Sequence, residues 1–387
     1  MIRTLTEGNM DALFSLRRVG FFQQIDPDNE AFTAQQRARL SITRGYFAEG
    51  ELASAATMYP FKMFLSGKVV KMGGLAGVMS APEYRRRGHV RALLEDGFER
   101  LHEQGVGWSL EHPFDPRYYA RYGYQSVSNG RMVELPCSRL FQGTPPEAER
   151  LELDDLAQLK ETHAAWAAQH NFALTRNDNA REAWRRLVKS PWEDKERITY
   201  KLQDAYCILM FSYGESGKPN LLNVHDYAYS SPQGRDNLLR FWGNFEGQAE
   251  VVRLHLPSDD PLLFDSAEFV KRQSVVQARV VDFSVALTQL SSPQEAHFTL
   301  KVEDDFCPWN NATFEVKMNK EQVEVEPTNK SADLTLDVRT LPLLLSGTIE
   351  ANAAERLGLI EGEVGAARAL ASLSGNRVPF LIKADFF

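Results

Sequence analysis

Val78-Met79-Ser80-Ala81-Pro82-Glu83-Tyr84-Arg85-Arg86-Arg87-Gly88-His89-Val90-Arg91-Ala92-Leu93-Leu94 carries the densest chemistry in the chain. Its first residues close a strand rich in small side chains, Lys71 to Ser80, which Pro82 helps to break. The spacing then predicts a helical stretch over Glu83 to His102, with the helix beginning near Gly88 and Val90, Leu93, Leu94, Phe98 and Leu101 on one face. Three arginines and a glycine thus stand at a helix N-terminus. Unpaired backbone N–H groups and the positive end of the dipole gather there, so such a junction collects anions. Gly88 lets the backbone come close to a phosphate, and Arg85, Arg86 and Arg87 add charge. Charge alone leaves an exposed basic turn equally open; the spacing Arg85-x-x-Gly88, with Pro82 three residues upstream, is more specific.

The rest of the chain sets limits. With 387 residues it is long for one core and comfortable for two or three domains. Hydrophobic residues at 43% and charged residues at 25% fit a folded globular protein. A net charge of −8 argues against non-specific nucleic-acid binding. Cys137, Cys207 and Cys307 are scattered, odd in number and without a CxxC pair. No disulfide framework and no metal site is expected, and a reducing, cytoplasmic setting is. Met1 to Asn9 is polar, unlike a signal peptide, and no apolar run approaches the roughly 18 residues of a membrane helix.

Three stretches differ in character. Residues 1–140 hold the quoted segment, a helical spacing at Asn9 to Arg18, strands within Gly50 to Met63 and another at Val106 to Glu111. Gln142-Gly143-Thr144-Pro145-Pro146 reads as a linker. Residues 147–279 open with helices at Asp154 to His170 and around Asn179 to Lys189. Strands at Ala205 to Tyr213 and Leu221 to Tyr229, a helix at Gly234 to Trp242 and a strand at Glu250 to Leu256 follow. That order repeats the first domain without a basic glycine loop, so no active site of its own is expected there. Residues 280–387 read as a meander (Phe298 to Glu303, Ala312 to Asn319, Gln322 to Glu326), a strand at Asp333 to Val338, and helices at Thr340 to Ser346 and Ala353 to Leu357. The end, Phe380-Leu381-Ile382-Lys383-Ala384-Asp385-Phe386-Phe387, is apolar and aromatic where termini are ordinarily solvated.

The quoted segment resembles motif A of the GNAT superfamily of N-acetyltransferases, whose loop reads Gln/Arg-x-x-Gly-x-Gly/Ala; Val90 stands where the last small residue is usual. The resemblance implies an acetyl-coenzyme A site. Val78, Met79 and Ser80 would pair with the pantetheine arm and polarise the thioester carbonyl, and the loop amides of Arg86, Arg87, Gly88, His89, Val90 and Arg91 would hold the pyrophosphate. A second segment, Tyr118-Tyr119-Ala120-Arg121-Tyr122-Gly123-Tyr124, resembles the superfamily's Phe-Tyr-x-x-x-Gly-Phe. It implies Tyr119 as the general acid that protonates the departing thiolate, in place of a simple packing aromatic. A protonated amine also needs a base, for which Glu111, on the strand after the helix, is available.

The whole layout resembles the Eis (enhanced intracellular survival) family: an α/β (α+β) chain of tandem GNAT domains, the second degenerate, followed by a sterol-carrier-protein-like domain. Ala332 to Leu341 and Leu345-Ser346-Gly347 carry the last likeness. The resemblance implies that the carboxylate of Phe387 enters the site as general base. It also implies amine acceptors such as aminoglycosides, polyamines or lysine-type amines, and homohexamers built from trimers. An acidic pocket goes with that breadth, with Glu111, Asp115 and Asp385 as possible lining, although ordinary structural roles suit them as well. The competing reading is a protein that binds a hydrophobic ligand through its C-terminal domain, with the GNAT domains as scaffold.

Overall fold

The computed structural model describes residues 1–140, 143–176, 184, 186–188, 197–214 and 220–387, the side chains of 272–274 excepted. Gln142 and most of 179–189 lie outside these, though Trp184 and 186–188 are helical. The first elements are β1 (Ile2–Thr4), α1 (Met10–Phe21), α2 (Glu30–Arg39), β2 (Thr43–Ala48), β3 (Glu51–Leu65) and β4 (Lys68–Ser80). They continue through α3 (His89–Glu103), β5 (Trp108–Glu111), α4 (Pro116–Ala120) and β6 (Gln125–Pro136). Next come β7 (Ala148–Leu151), α5 (Lys160–Ala167), β8 (Arg197–Leu202), β9 (Ala205–Ser212) and β10 (Leu221–Tyr229). α6 (Pro232–Gly243), β11 (Val251–Leu256) and β12 (Val270–Val280) complete a sheet of twelve strands.

Its strand order is β1-β2-β3-β4-β5-β12-β6-β11-β10-β9-β8-β7. Local chemistry explains the left half. Ser66 and Gly67, both at positive φ, make the two-residue turn that folds β3 onto β4. α3 covers one face with Leu93, Leu94, Phe98 and Leu101, all buried. It begins only at His89, because Pro82–Tyr84 forms a separate 3-10 turn and Arg85 is extended. The start near Gly88 is thus borne out, and the wider stretch from Glu83 is shortened by six residues. The centre of the sheet has no local explanation. β12, from the stretch read as the middle domain, is hydrogen-bonded between β5 and β6, antiparallel to both.

The C-terminal part forms a second sheet of β13 (Ala296–Glu303), β14 (Thr313–Met318), β15 (Val323–Pro327), β16 (Leu334–Asp337) and β17 (Ile360–Gly362), in the order β15-β14-β13-β16-β17. α7 (Phe283–Thr288), α8 (Thr340–Leu345), α9 (Ala351–Arg356) and α10 (Val364–Ser372) accompany it. Leu300, Leu336, Leu344 and Leu370 join Trp108, Leu110 and Val280 of the large sheet in one continuous core. The two open grooves described in this domain, about 410 and 470 Å³, mix charged groups such as Glu303, Asp337, Arg339, Glu350 and Arg368 with apolar side chains such as Leu336, Leu343 and Ile349. Both are open grooves and not enclosed chambers. Among the described residues no helix is long and apolar enough to cross a membrane.

Candidate active site

β4 and β5 run parallel and paired from Met72↔Trp108 to Leu75↔Glu111, and no further. Beyond Leu75, β4 continues through Ala76 to Ser80 beside β3 alone, so a slot opens where the two strands part. Gly77, at φ 58°, sits in a bulge between the Thr57↔Ala76 and Ala55↔Met79 pairs, which turns the strand locally at the mouth of that slot. Val78 leans on the α3-side core, Met79 is buried against α1, and the Ser80 hydroxyl lies 2.7 Å from that of Ser54.

The loop that follows is exposed at Arg85, Arg86, Arg87 and Gly88. Left-handed backbone at Arg86 (φ 64°) and Gly88 (φ 81°) curls it twice within three residues, the geometry of an anion-holding concavity. The first α3 bond runs from the Ala92 N–H to the Gly88 carbonyl at 3.0 Å, so the donors just before it have no acceptor within the helix. These residues fit a pyrophosphate. Their side chains divide the work unevenly. The Arg87 guanidinium lies over the Tyr84 ring, and that of Arg91 pairs with Glu95 at 2.8 Å. The His89 ring stacks on Tyr46 at 4.0 Å, and burial holds its pKa down. The Val90 side chain packs into the α3-side core, away from the loop.

Two different faces meet at the slot. Ser109 and Glu111 point to the α3 side, where the Ser109 hydroxyl is 2.6 Å from that of Tyr124. Tyr119 stands there too, 4% exposed, with Tyr118, Tyr124 and Phe114 rings 5.0, 6.0 and 5.6 Å away. Burial first, then the nearby Glu111, raise the Tyr119 phenol above its ordinary pKa. It therefore keeps its proton at neutral pH. Gly123 explains the motif glycine physically: at φ 81°, its added Cβ would lie within bonding distance, 1.4 Å, of an Arg279 guanidinium nitrogen.

On the opposite face, a Cβ built on Gly74 would come 2.8 Å from the Phe387 ring. That ring sits 5.0 Å from Phe61 and 5.4 Å from His112, and Phe386 stacks on His112 at 3.4 Å. The apolar terminus is thus seated at the parting of β4 and β5. Asn129 exchanges bonds with the backbone of Leu381, Lys383 N–H donates to His255 at 3.2 Å, and Phe380 N–H donates to the Asn171 carbonyl at 2.8 Å.

The three carboxylates offered as acidic lining do other things. Asp115 accepts the Arg117 N–H at 3.0 Å, capping α4. Asp385 is buried against Arg176 at 2.9 Å, and Arg176 also binds Asp226 at 2.7 Å. Glu111 is 2% exposed with one oxygen unpartnered, and burial pushes its carboxyl up to about 9. It is neutral at pH 7, the wrong resting state for a base. Sequence reasoning missed His112, whose imidazole burial holds down to about 3, so that it seats the terminal rings as a neutral group. It also missed Arg39, whose guanidinium lies 5.4 Å over the Tyr59 ring. No local pattern marks either residue.

Residues 1–127 and 173–280 each match an acetyltransferase (GNAT) domain family, and residues 283–382 match a sterol carrier protein domain family. The chain is an acetyltransferase of the GNAT superfamily with a C-terminal sterol-carrier domain. An uncharacterized N-acetyltransferase of Streptomyces coelicolor is 21% identical over 341 residues, 81% of each chain. One of Streptomyces griseus is 23% identical over 376 residues, 89% of each. The crystal structure of a GCN5-related N-acetyltransferase from Anabaena variabilis superposes with a TM-score of 0.88 at 21% identity, covering all of both chains. That of Eis1 from Mycobacterium abscessus does so with a TM-score of 0.82 at 20% identity, also covering both fully. These likenesses account for the two related halves of the large sheet in this GNAT enzyme. In the second half, the Ser231 hydroxyl at the N-terminus of α6 donates to the Asp204 carboxylate at 2.9 Å. An acid thus stands beside the N-terminus of α6, whereas arginines precede α3.

Proposed function

We propose that the enzyme transfers the acetyl group of acetyl-coenzyme A to a primary amine by direct attack, at the first GNAT domain (residues 1–140) and not at the second (147–279). Acetyl-coenzyme A supplies an activated acyl group on a thiol leaving group. The cradle from Arg85 to Arg91 holds its phosphates, and Val78, Met79 and Ser80 flank the slot its arm would follow. Tyr119 gives its proton to the departing thiolate on the α3 side. The carboxylate of Phe387, on the other side, takes the proton that the amine must lose. The observation that carries this reading is the seating of a proton-bearing phenol and the chain terminus on opposite faces of one strand parting. Three buried free cysteines suit a cytoplasmic setting. Assembly as a homohexamer belongs to the same proposal and is read by light scattering.

Thiol release from acetyl-coenzyme A, measured over aminoglycosides, polyamines and lysine peptides, tests the proposal. Tyr119→Phe should lose on the order of 10²- to 10⁴-fold in turnover while coenzyme A still binds. Deleting Phe387 should do likewise; unchanged turnover in that variant removes the terminal-base assignment.

A further inference from the structure

The face of the slot that receives the terminus carries Arg39, while Asp115, Asp385 and Glu111 are engaged or buried elsewhere. Tyr59, Phe61 and Phe387 form a continuous run of rings, with Tyr59 5.2 Å from Phe61 and 6.1 Å from Phe387. Arg39, at the end of α2, lays its guanidinium over the far edge of that run, 5.4 Å from the Tyr59 centroid. Taken with the 6.1 Å between Tyr59 and Phe387, this puts the guanidinium carbon within about 11.5 Å of the terminal ring, the sum of the two separations. Its Nε is buried with no hydrogen-bond partner, and among the described residues no carboxylate pairs with it. The charges that bear most on Arg39 are Tyr59 and Arg186, and those on Arg17 are Arg39 and Tyr59. Arg17, from α1, sends its Nε to Gln23 at 3.2 Å.

A half-buried guanidinium whose Nε has no partner is costly unless something anionic answers it. A planar fork of donors over an apolar wall is also the geometry that recognises a carboxylate. We infer that Arg39 is the receptor for a carboxylate on the acceptor, so the amine acetylated here belongs to an amino-acid-like molecule and not to a polycation. The carboxylate sits at Arg39, the body of the acceptor lies along Tyr59 and Phe61, and the amine reaches the parting of β4 and β5 beside Phe387. The inference rests on the acetyl-transfer reading for its amine, while the anion receptor itself does not need it.

Three acceptors of one length separate charge from shape: 6-aminohexanoate, 6-aminohexanamide and 1,6-diaminohexane. The expected order in kcat/KM is carboxylate over amide over diamine, with the first ratio about tenfold to a hundredfold. In Arg39→Leu that ratio falls toward one, and in Arg39→Lys part of it returns. A second arm needs no turnover: calorimetric titration with 6-acetamidohexanoate and 6-acetamidohexanamide. The carboxylate should bind the wild type about tenfold or more tightly than the amide, and lose this advantage in Arg39→Leu. Equal binding of the two, or turnover that favours the diamine, overturns the inference and leaves acetyl transfer standing. Tight carboxylate binding without any thiol release supports the receptor and sinks the acetyl-transfer reading. Should Arg39→Leu fail to fold, the wild-type series and Arg39→Lys decide the question.

Discussion

Glu111 closes β5 at the last rung before the strands part, and its surroundings keep it from ionising. Its carboxyl is moved from 4.5 to about 9 by burial. Below pH 4.5 both folded and unfolded chains hold the proton, and the group costs little. From there to about 9 the unfolded chain releases the proton while the native one keeps it, so stability drains as pH rises; above about 9 the loss is complete. Glu111→Gln should remove that slope. Its gain over wild type should be larger at pH 8 than at pH 5 by on the order of 2 to 4 kcal/mol, read by urea unfolding at the two values. A parallel pH dependence in both proteins would mean that the carboxylate is solvated after all. The sequence offers Glu111, Asp115 and Asp385 as interchangeable acids. Only the fold distinguishes a buried neutral carboxyl, a helix cap and an ion-paired anchor, because environment, and not residue type, sets what a carboxyl does. Tyr119 and the arginine loop were legible earlier, since their neighbours in sequence are their neighbours in space. Arg39 and His112 were not, since their partners come from β3 and the chain end.

At the scale of elements, the tail from Phe380 to Phe387 behaves as a strap with several fixings, and Arg176 is a charged one. It is buried between Asp226 and Asp385. Asp385→Ala leaves Arg176 paired with Asp226 and the fold intact, but frees the last residues. The expectation is about a tenfold lower turnover with coenzyme A affinity unchanged, and faster carboxypeptidase trimming of the tail. Full turnover in this variant would assign the seating of Phe387 to ring contacts and Asn129 alone. α3 was readable from its apolar stripe and its start from Gly88, while the 3-10 turn before it imitates helical spacing and stretched the reading back to Glu83. β12 escaped altogether: its partners in β5 and β6 are remote in sequence, and a register set by distant strands leaves no periodic trace that names them.

Across the whole molecule, Arg279 of β12 links the large sheet to the C-terminal domain. It is fully buried, binds both oxygens of Asp304 at 3.0 and 2.8 Å, and lies under Gly123 beside the tyrosine motif. Removing one partner strands the other's charge, so Asp304→Ala should cost on the order of 3 to 5 kcal/mol. That loss is visible as an earlier denaturant midpoint and as reduced turnover at temperatures where the wild type is fully active. An unchanged midpoint would show that water or another group has reached the guanidinium. The tandem plan and the sterol-carrier domain could be read from the sequence, whereas the interlocking of its parts could not.

The position of β12 also has a consequence for how the protein is made. β5 and β6 leave the ribosome early, each with an open edge facing a gap that only a much later segment can fill. The nascent chain therefore carries two open strand edges while residues 137–280 are added, and its first half cannot mature in N-to-C order. Cutting the gene between its two acetyltransferase modules would not yield a working first half, because the missing piece of its sheet is encoded at the end of the second.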